Sequence, residues 1–214
     1  VTMLYRHPTL FSYQEGVKQH IVKTPYTGIF LGMGFGKTLI ALSALSQIRP
    51  VGHILVVAPK TIARSTWTGE IEKYNFPIRT KSLIVDEKDK KLSRADRLAR
   101  YAEVFTDEPT MYFINHNLLD DLLKNMPTFK VKGQRKPVVQ WPFATVIVDE
   151  SQVFKNHASV KFKALNTVRP AIQRLIELTG TPIPNGVSDL WSQVYLLDQG
   201  KALGENITWY KRTF

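Results

Sequence analysis

Residues 31–38 read Leu31-Gly32-Met33-Gly34-Phe35-Gly36-Lys37-Thr38, and the reading of the whole chain turns on them. An apolar run, Gly28-Ile29-Phe30-Leu31, enters the segment as a strand, and Leu39 to Ile48 leaves it as a helix. Glycine at alternate positions lets the main chain pass close to a bound group with no Cβ in the way. The first turn of a helix has unpaired N–H groups and the positive end of the dipole, so strand, loop and helix together make a phosphate cradle. In such a cradle Lys37 reaches the β- and γ-phosphates of ATP and the Thr38 hydroxyl ligates Mg²⁺, while Gly34, Phe35, Gly36 and Leu39 complete the loop and first turn. The match to G-x-x-x-x-G-K-[ST] is incomplete, because Leu31 stands where the first glycine belongs. Taken alone, the segment also fits a plain strand–turn–helix corner with a solvated lysine.

A second segment weighs against that plain reading. Val146-Ile147-Val148-Asp149-Glu150 is an apolar strand that delivers two carboxylates at its C-terminal end. In open α/β sheets ligands bind at that edge. Asp149 is expected to hold Mg²⁺, directly or through water, and Glu150 to act as general base on the attacking water.

The 214 residues suffice for one substantial domain with its own core. Composition is globular, at 43% hydrophobic and 22% charged, with no internal repeat. No apolar stretch approaches the ~18 residues of a membrane helix, and residues 1–16 lack the apolar core of a signal peptide. The absence of cysteine excludes disulfides and cysteine-ligated metal sites and fits an intracellular location. The five histidines, His7, His20, His53, His116 and His157, show no metal-ligand spacing. A net charge of +11 favours polyanionic partners, nucleic acid first.

Short apolar runs alternate with helical patterns, which predicts α/β architecture with a largely parallel sheet. Expected strands are Gly28–Leu31, His53–Ala58, Thr80–Val85, Met111–Asn115, Thr145–Val148 and Arg174–Leu178. Expected helices are Lys37–Ile48, Ile62–Tyr74, Lys90–Phe105, Asn117–Lys124, Ser159–Val168 and Val187–Leu197. The runs HILVVA and ATVIVDE are apolar at successive positions, as central strands covered on both faces are. Met126 to Pro142 stands apart, with Lys130, Lys132, Arg135 and Lys136 and no acidic residue. It reads as a basic hairpin or loop, either a solvated linker or a nucleic-acid contact.

Several further segments carry a family resemblance, in order along the chain. Leu10-Phe11-Ser12-Tyr13-Gln14-Glu15-Gly16-Val17 precedes the phosphate loop, and Val56-Val57-Ala58-Pro59-Lys60 is followed by Trp67 and Glu70. Asp149-Glu150-Ser151-Gln152 leads into Phe154-Lys155-Asn156 and Ser159, and Leu178-Thr179-Gly180-Thr181-Pro182 into Asn185 and Asp189-Leu190-Trp191. With these the chain resembles superfamily-two helicases and, within them, the Swi/Snf-type DNA translocase ATPases.

The resemblance implies a RecA-like P-loop NTPase lobe, an α/β fold with a mostly parallel sheet and helices on both faces. It implies that Gln14 contacts the adenine, that Pro59, Lys60, Thr61, Asn115, Thr179, Gly180 and Thr181 lie along the nucleic acid, with the threonine hydroxyls reaching its phosphates, and that Gln152, Thr179 and Thr181 couple hydrolysis to movement. Lys60 also reads as a surface lysine at a strand end, and Trp67 as core packing. Two positions depart from the family pattern: Leu31-Gly32 replaces an acidic pair ahead of Met-Gly, and Gln152 replaces the commoner histidine. The expected partners are double-stranded DNA and a second RecA-like lobe, C-terminal to this one, that supplies an arginine finger. The lobe alone is expected to be monomeric and to hydrolyse ATP poorly. An RNA or single-stranded-DNA motor, or a non-hydrolysing ATP-gated binding module, are the alternatives.

Overall fold

The computed structural model describes residues 8–59, 63–86, 88, 90–133, 136–184 and 186–213, with backbone alone for 63 and 64. Lys60, Thr61, Arg135 and Asn185 lie outside these residues. Six strands form one wholly parallel sheet: β1 (Tyr26–Phe30), β2 (His53–Val57), β3 (Thr80–Ser82), β4 (Met111–Ile114), β7 (Phe143–Asp149) and β8 (Arg174–Thr179), ordered β1-β8-β7-β2-β4-β3. The expected α/β lobe is therefore found, each expected strand falling within a few residues of its place.

The helices divide between the two faces. Beside β1, β2 and β8 one apolar layer gathers Ile21 of α1 (Ser12–Lys23), Ile40 and Leu42 of α2 (Lys37–Ile48), and Ile71 of α3 (Thr68–Tyr74). The other layer gathers Tyr101 of α4 (Arg94–Glu103), Leu122 of α5 (Leu119–Lys124), Leu165 of α6 (Val160–Val168) and Leu196 of α7 (Ser188–Asp198). Within β7, Val146 and Val148 face the second layer while Ile147 faces the first, which is the period of two that a doubly covered strand requires.

Where boundaries differ from expectation, a hydrogen bond explains the difference. Strand β3 stops at Ser82 because its Oγ accepts from the N–H groups of Ile84 and Val85, turning the chain off the ladder. Helix α4 starts at Arg94, since Ser93 caps it by accepting from Asp96 N, and Ser159 caps α6 by accepting from Phe162 N. The expected helix at Asn117 begins as a 3₁₀ turn, His116–Leu118, capped by Asn115. Ahead of α3 the chain makes a π-helical turn over Ala63–Trp67. Helix α8 (Ile207–Thr213), capped by Asn206, was not expected from the pattern.

Residues 126–142 hold a short antiparallel ribbon, β5 (Thr128–Phe129) with β6 (Val138–Val139). Because it leads into the first residue of β7, the ribbon sits at the N-terminal end of the sheet. The phosphate loop and the Asp149 carboxylate lie at the opposite end.

Candidate nucleotide and coupling site

Three adjacent strands, β1, β8 and β7, deliver the motif residues to one edge. At the root of the phosphate loop Leu31 N donates to Thr179 O at 3.1 Å, so the loop leaves β1 tied to the end of β8. Gly34 and Gly36 take φ of 79° and 76°, a region that L side chains rarely adopt. A Cβ on Gly36 would lie 2.5 Å from Gln14 Nε2, the end of a side chain that could shift, so it is the positive φ that favours glycine there. Lys37 Nζ donates to the carbonyls of Leu31 at 2.8 Å and Gly32 at 3.0 Å, which holds the ammonium over the loop. Thr38 is buried in the first turn of α2, and Leu39 behind it packs partly on the core.

Helix α1 braces the loop. Gln14 Oε1 accepts from Phe11 N at 2.9 Å while its Nε2 donates to Phe35 O at 3.2 Å, and Tyr13 Oη donates to the same carbonyl at 3.2 Å. Tyr13 meets the Phe35 ring edge-on and stacks on Phe11, leaving exposed aromatic surface beside the loop.

Asp149 is held more closely than any strand-end residue needs to be. Its Oδ2 accepts from the indole N–H of Trp67 at 2.9 Å, and its Oδ1 from Glu150 N at 3.0 Å. Its main-chain carbonyl accepts from His116 Nε2–H at 2.7 Å. Burial raises the Asp149 carboxyl above its ordinary range and the neighbouring Glu150 adds to this, while the Trp67 N–H and the Lys37 charge oppose it. Burial also pushes the His116 imidazole down to about 4, so it is neutral and its bond to the carbonyl fixes the Nε2–H tautomer.

Glu150 has a left-handed backbone, φ 55° and ψ 53°. Among the described residues the other such non-glycine positions, Arg49, Asn75 and Gln199, all sit at helix C-caps, where that conformation is common. Glu150 instead sits between a strand and a 3₁₀ turn, as that turn's N-cap residue without a side-chain capping bond, in a conformation that costs about 1–2 kcal/mol.

From Glu150 a line of hydrogen bonds crosses to β8. Gln152 Nε2 donates to Glu150 Oε2 at 2.9 Å, Thr179 Oγ1 donates to Gln152 Oε1 at 2.6 Å, and Thr181 N donates to Thr179 Oγ1 at 3.0 Å. A second line runs beneath it: Ser151 Oγ donates to Gln193 Oε1 at 2.9 Å, and Gln193 Nε2 donates to Pro182 O at 2.7 Å. Lys155 adds an ion pair to Asp189 at 3.5 Å.

The chain thus brings together Gln14 with the phosphate loop, and Glu150 and Gln152 with Thr179 and Thr181. Thr179 is fully buried and its hydroxyl is spent on Gln152, so a direct phosphate contact from it, as expected above, would need that bond broken. Gly180 is half-buried and Thr181 exposed. Pro59 and Asn115 are half-buried at neighbouring strand ends, and the Asn115 side chain caps the following turn by accepting from Asn117 N. Three residues escaped the sequence reading: Gln193, His116, and Trp67 as a hydrogen-bond donor.

The geometry fits ATP with Mg²⁺. Positive-φ glycines open the cradle, a lysine lies over it, and a buried carboxylate is fixed at the adjoining strand end. Thr38 and Asp149 are the residues that would hold the metal. Two protein oxygens, with phosphates and water completing the shell, are what Mg²⁺ takes in such sites.

A sequence profile described as the SNF2-related domain matches residues 23–214. A putative protein p41 of Acyrthosiphon pisum secondary endosymbiont phage 1 is 30% identical over 94% of this chain and 42% of its own length. The human DNA excision repair protein ERCC-6-like is 31% identical over 94% of this chain and 16% of its own. The chain therefore spans less than half the length of these relatives. Among solved structures, the Sulfolobus solfataricus SWI2/SNF2 ATPase core in complex with dsDNA superimposes on the whole chain with a TM-score of 0.68, at 23% identity and over 40% of that protein. The fold is shared with that core, and by the profile match over residues 23–214 the chain belongs to the SNF2-related domain family.

Proposed function

We propose that this chain is the ATP-binding lobe of an ATP-dependent translocase on double-stranded DNA, and that it hydrolyses ATP poorly without a second RecA-like lobe. The observation that carries the reading is the continuous line from Glu150 through Gln152 and Thr179 to Thr181. It ties the group best placed to activate water to a backbone segment exposed at the cleft edge, so a shift in one moves the other. Lys37 and the N–H groups of the first turn of α2 hold the phosphates. Mg²⁺, when bound, would neutralise charge building on the β- and γ-phosphates. Asp149 and Thr38 would hold it, and Glu150 takes the proton of the attacking water.

Support for a duplex substrate comes from the net charge of +11 and from the dsDNA complex of the similar SWI2/SNF2 core. Support for a missing lobe comes from the 40% coverage of that core. An arginine supplied from outside the lobe is worth about 10³- to 10⁵-fold in rate in related chemistry. Among the described residues no helix is long and apolar enough to cross a membrane.

The test is ATP turnover by the complete gene product with duplex DNA, single strands or RNA, beside Lys37→Ala. Stimulation by duplex that vanishes with Lys37→Ala is the expected result, with the 214-residue chain alone turning over slowly. Stimulation by single strands or RNA alone, or full DNA-stimulated turnover by this chain, would overturn the reading.

A further inference from the structure

Trp67 is fully buried among Ile71, Leu42 and Val56, which accounts for its ring but not for its indole N–H. That N–H crosses 82 residues of sequence to reach Asp149 Oδ2 at 2.9 Å. The other carboxylate oxygen takes Glu150 N at 3.0 Å, so each oxygen has one donor and rotation about the Cβ–Cγ bond is blocked. The turn that delivers the ring, Ala63–Trp67, is π-helical. One extra residue in a helical turn rotates the next turn by about 100°, and such turns are rare and concentrate at functional positions.

We infer that Trp67 is a positioning residue for the metal: it fixes the orientation of the Asp149 carboxylate that would hold Mg²⁺. The inference rests on reading Asp149 as a metal ligand. Partners that orient a ligating group from behind commonly govern metal affinity by 10- to 100-fold. The indole N–H acts through Asp149, so loss of that donor alone weakens Mg²⁺ binding without weakening the grip of the loop on phosphate. It also joins the metal site to the segment after β2, giving that segment its own route to the nucleotide.

The experiment compares the chain with Trp67→Phe, which keeps most of the ring volume and removes the donor. A fluorescent ATP analogue is titrated in EDTA and again at increasing Mg²⁺. The expected result is equal affinity in EDTA and a 10- to 100-fold higher Mg²⁺ requirement in the variant. Adding Trp67→Phe to Asp149→Asn should then do nothing further. Equal weakening in EDTA and in Mg²⁺, or an unchanged Mg²⁺ requirement, would overturn the inference. If Trp67→Phe fails to fold, the unmodified chain with ¹⁵N-labelled indoles answers the question. Mn²⁺ added with ATP should broaden the Trp67 N–H signal more than those of Trp141, Trp191 and Trp209, and equal broadening would overturn the inference. Loss of Mg²⁺-dependent nucleotide binding in the unmodified chain would instead bring down the reading of Asp149 itself.

Discussion

Asp149 and Glu177 are buried carboxylic acids on adjacent, paired strands, β7 and β8, and they have opposite surroundings. Asp149 receives donors from the helix after β2 and from its own neighbour, and its backbone is gripped by His116. Glu177 is wholly buried, and among the described residues neither of its oxygens has a hydrogen-bond partner. Burial pushes its carboxyl well above the ordinary range, and Arg169 only partly opposes this. That guanidinium is committed elsewhere, donating to the carbonyls of Leu196 and Leu197 and lying 3.8 Å over the Tyr26 ring. The contrast separates a carboxylate held by donors from one that is merely enclosed. Burial penalises charge at both positions, and only the Asp149 carboxylate has donors to oppose that, one from Trp67 far along the chain and one from its neighbour Glu150.

The contrast breaks first under substitution. Glu150→Gln should lower DNA-stimulated turnover by about 10²- to 10⁴-fold with nucleotide affinity retained, whereas Glu177→Gln should leave turnover near the parental rate. Steady-state kinetics of the complete protein, with a parallel binding titration, decides this. A comparable loss for Glu177→Gln would erase the distinction.

A pH series sharpens it. Folded His116 stays neutral down to about pH 4, while the unfolded chain takes up that proton near pH 6.5. Between these values the unfolded state binds more protons. Stability therefore rises with pH from about 4 to 6.5 and is flat above, a contribution of about 3 kcal/mol. Denaturant melts of His116→Gln should lose that rise. Glu177 has the opposite sign: above pH 4.5 the unfolded chain releases a proton that the folded one keeps, so stability falls as pH rises.

The smallest effect is the gain from removing Glu177. With no partner to lose, Glu177→Met should stabilise the chain at pH 7 by about 1–3 kcal/mol and flatten that fall. Each kcal/mol is worth about 2–4 °C in Tm for a chain of this size. A lower Tm would show that Glu177 has a partner in solution.

Much of this was legible in the sequence because it is local. Apolar runs and glycine spacing place the strands, the phosphate loop and Asp149-Glu150, each within a dozen residues. Illegible were contacts whose two halves are far apart. Trp67 reads as packing because its donor partner lies 82 positions away. Gln193 sits on the buried face of α7 with no local sign that it serves Ser151 and Pro182. The π-helical turn before α3 breaks the period from which a uniform helix was expected.

Strand order has a consequence in time. Among the described residues, the strand that carries the phosphate loop, β1, pairs with β8 alone, through the register Tyr26↔Leu175 to Phe30↔Thr179. Tyr26 Oη donates to Ile172 O across 146 residues, and Arg174 reaches back to Ile21 O. During synthesis the loop emerges well before β8 and cannot take this place until β8 has followed it. Loop closure of that length must precede any reward from the contact, so assembly is slow by topology. A nascent chain stopped before residue 174 would carry the Gly-Lys-Thr segment and lack the neighbour that shapes it, and nucleotide could not act as a folding template until β8 had arrived.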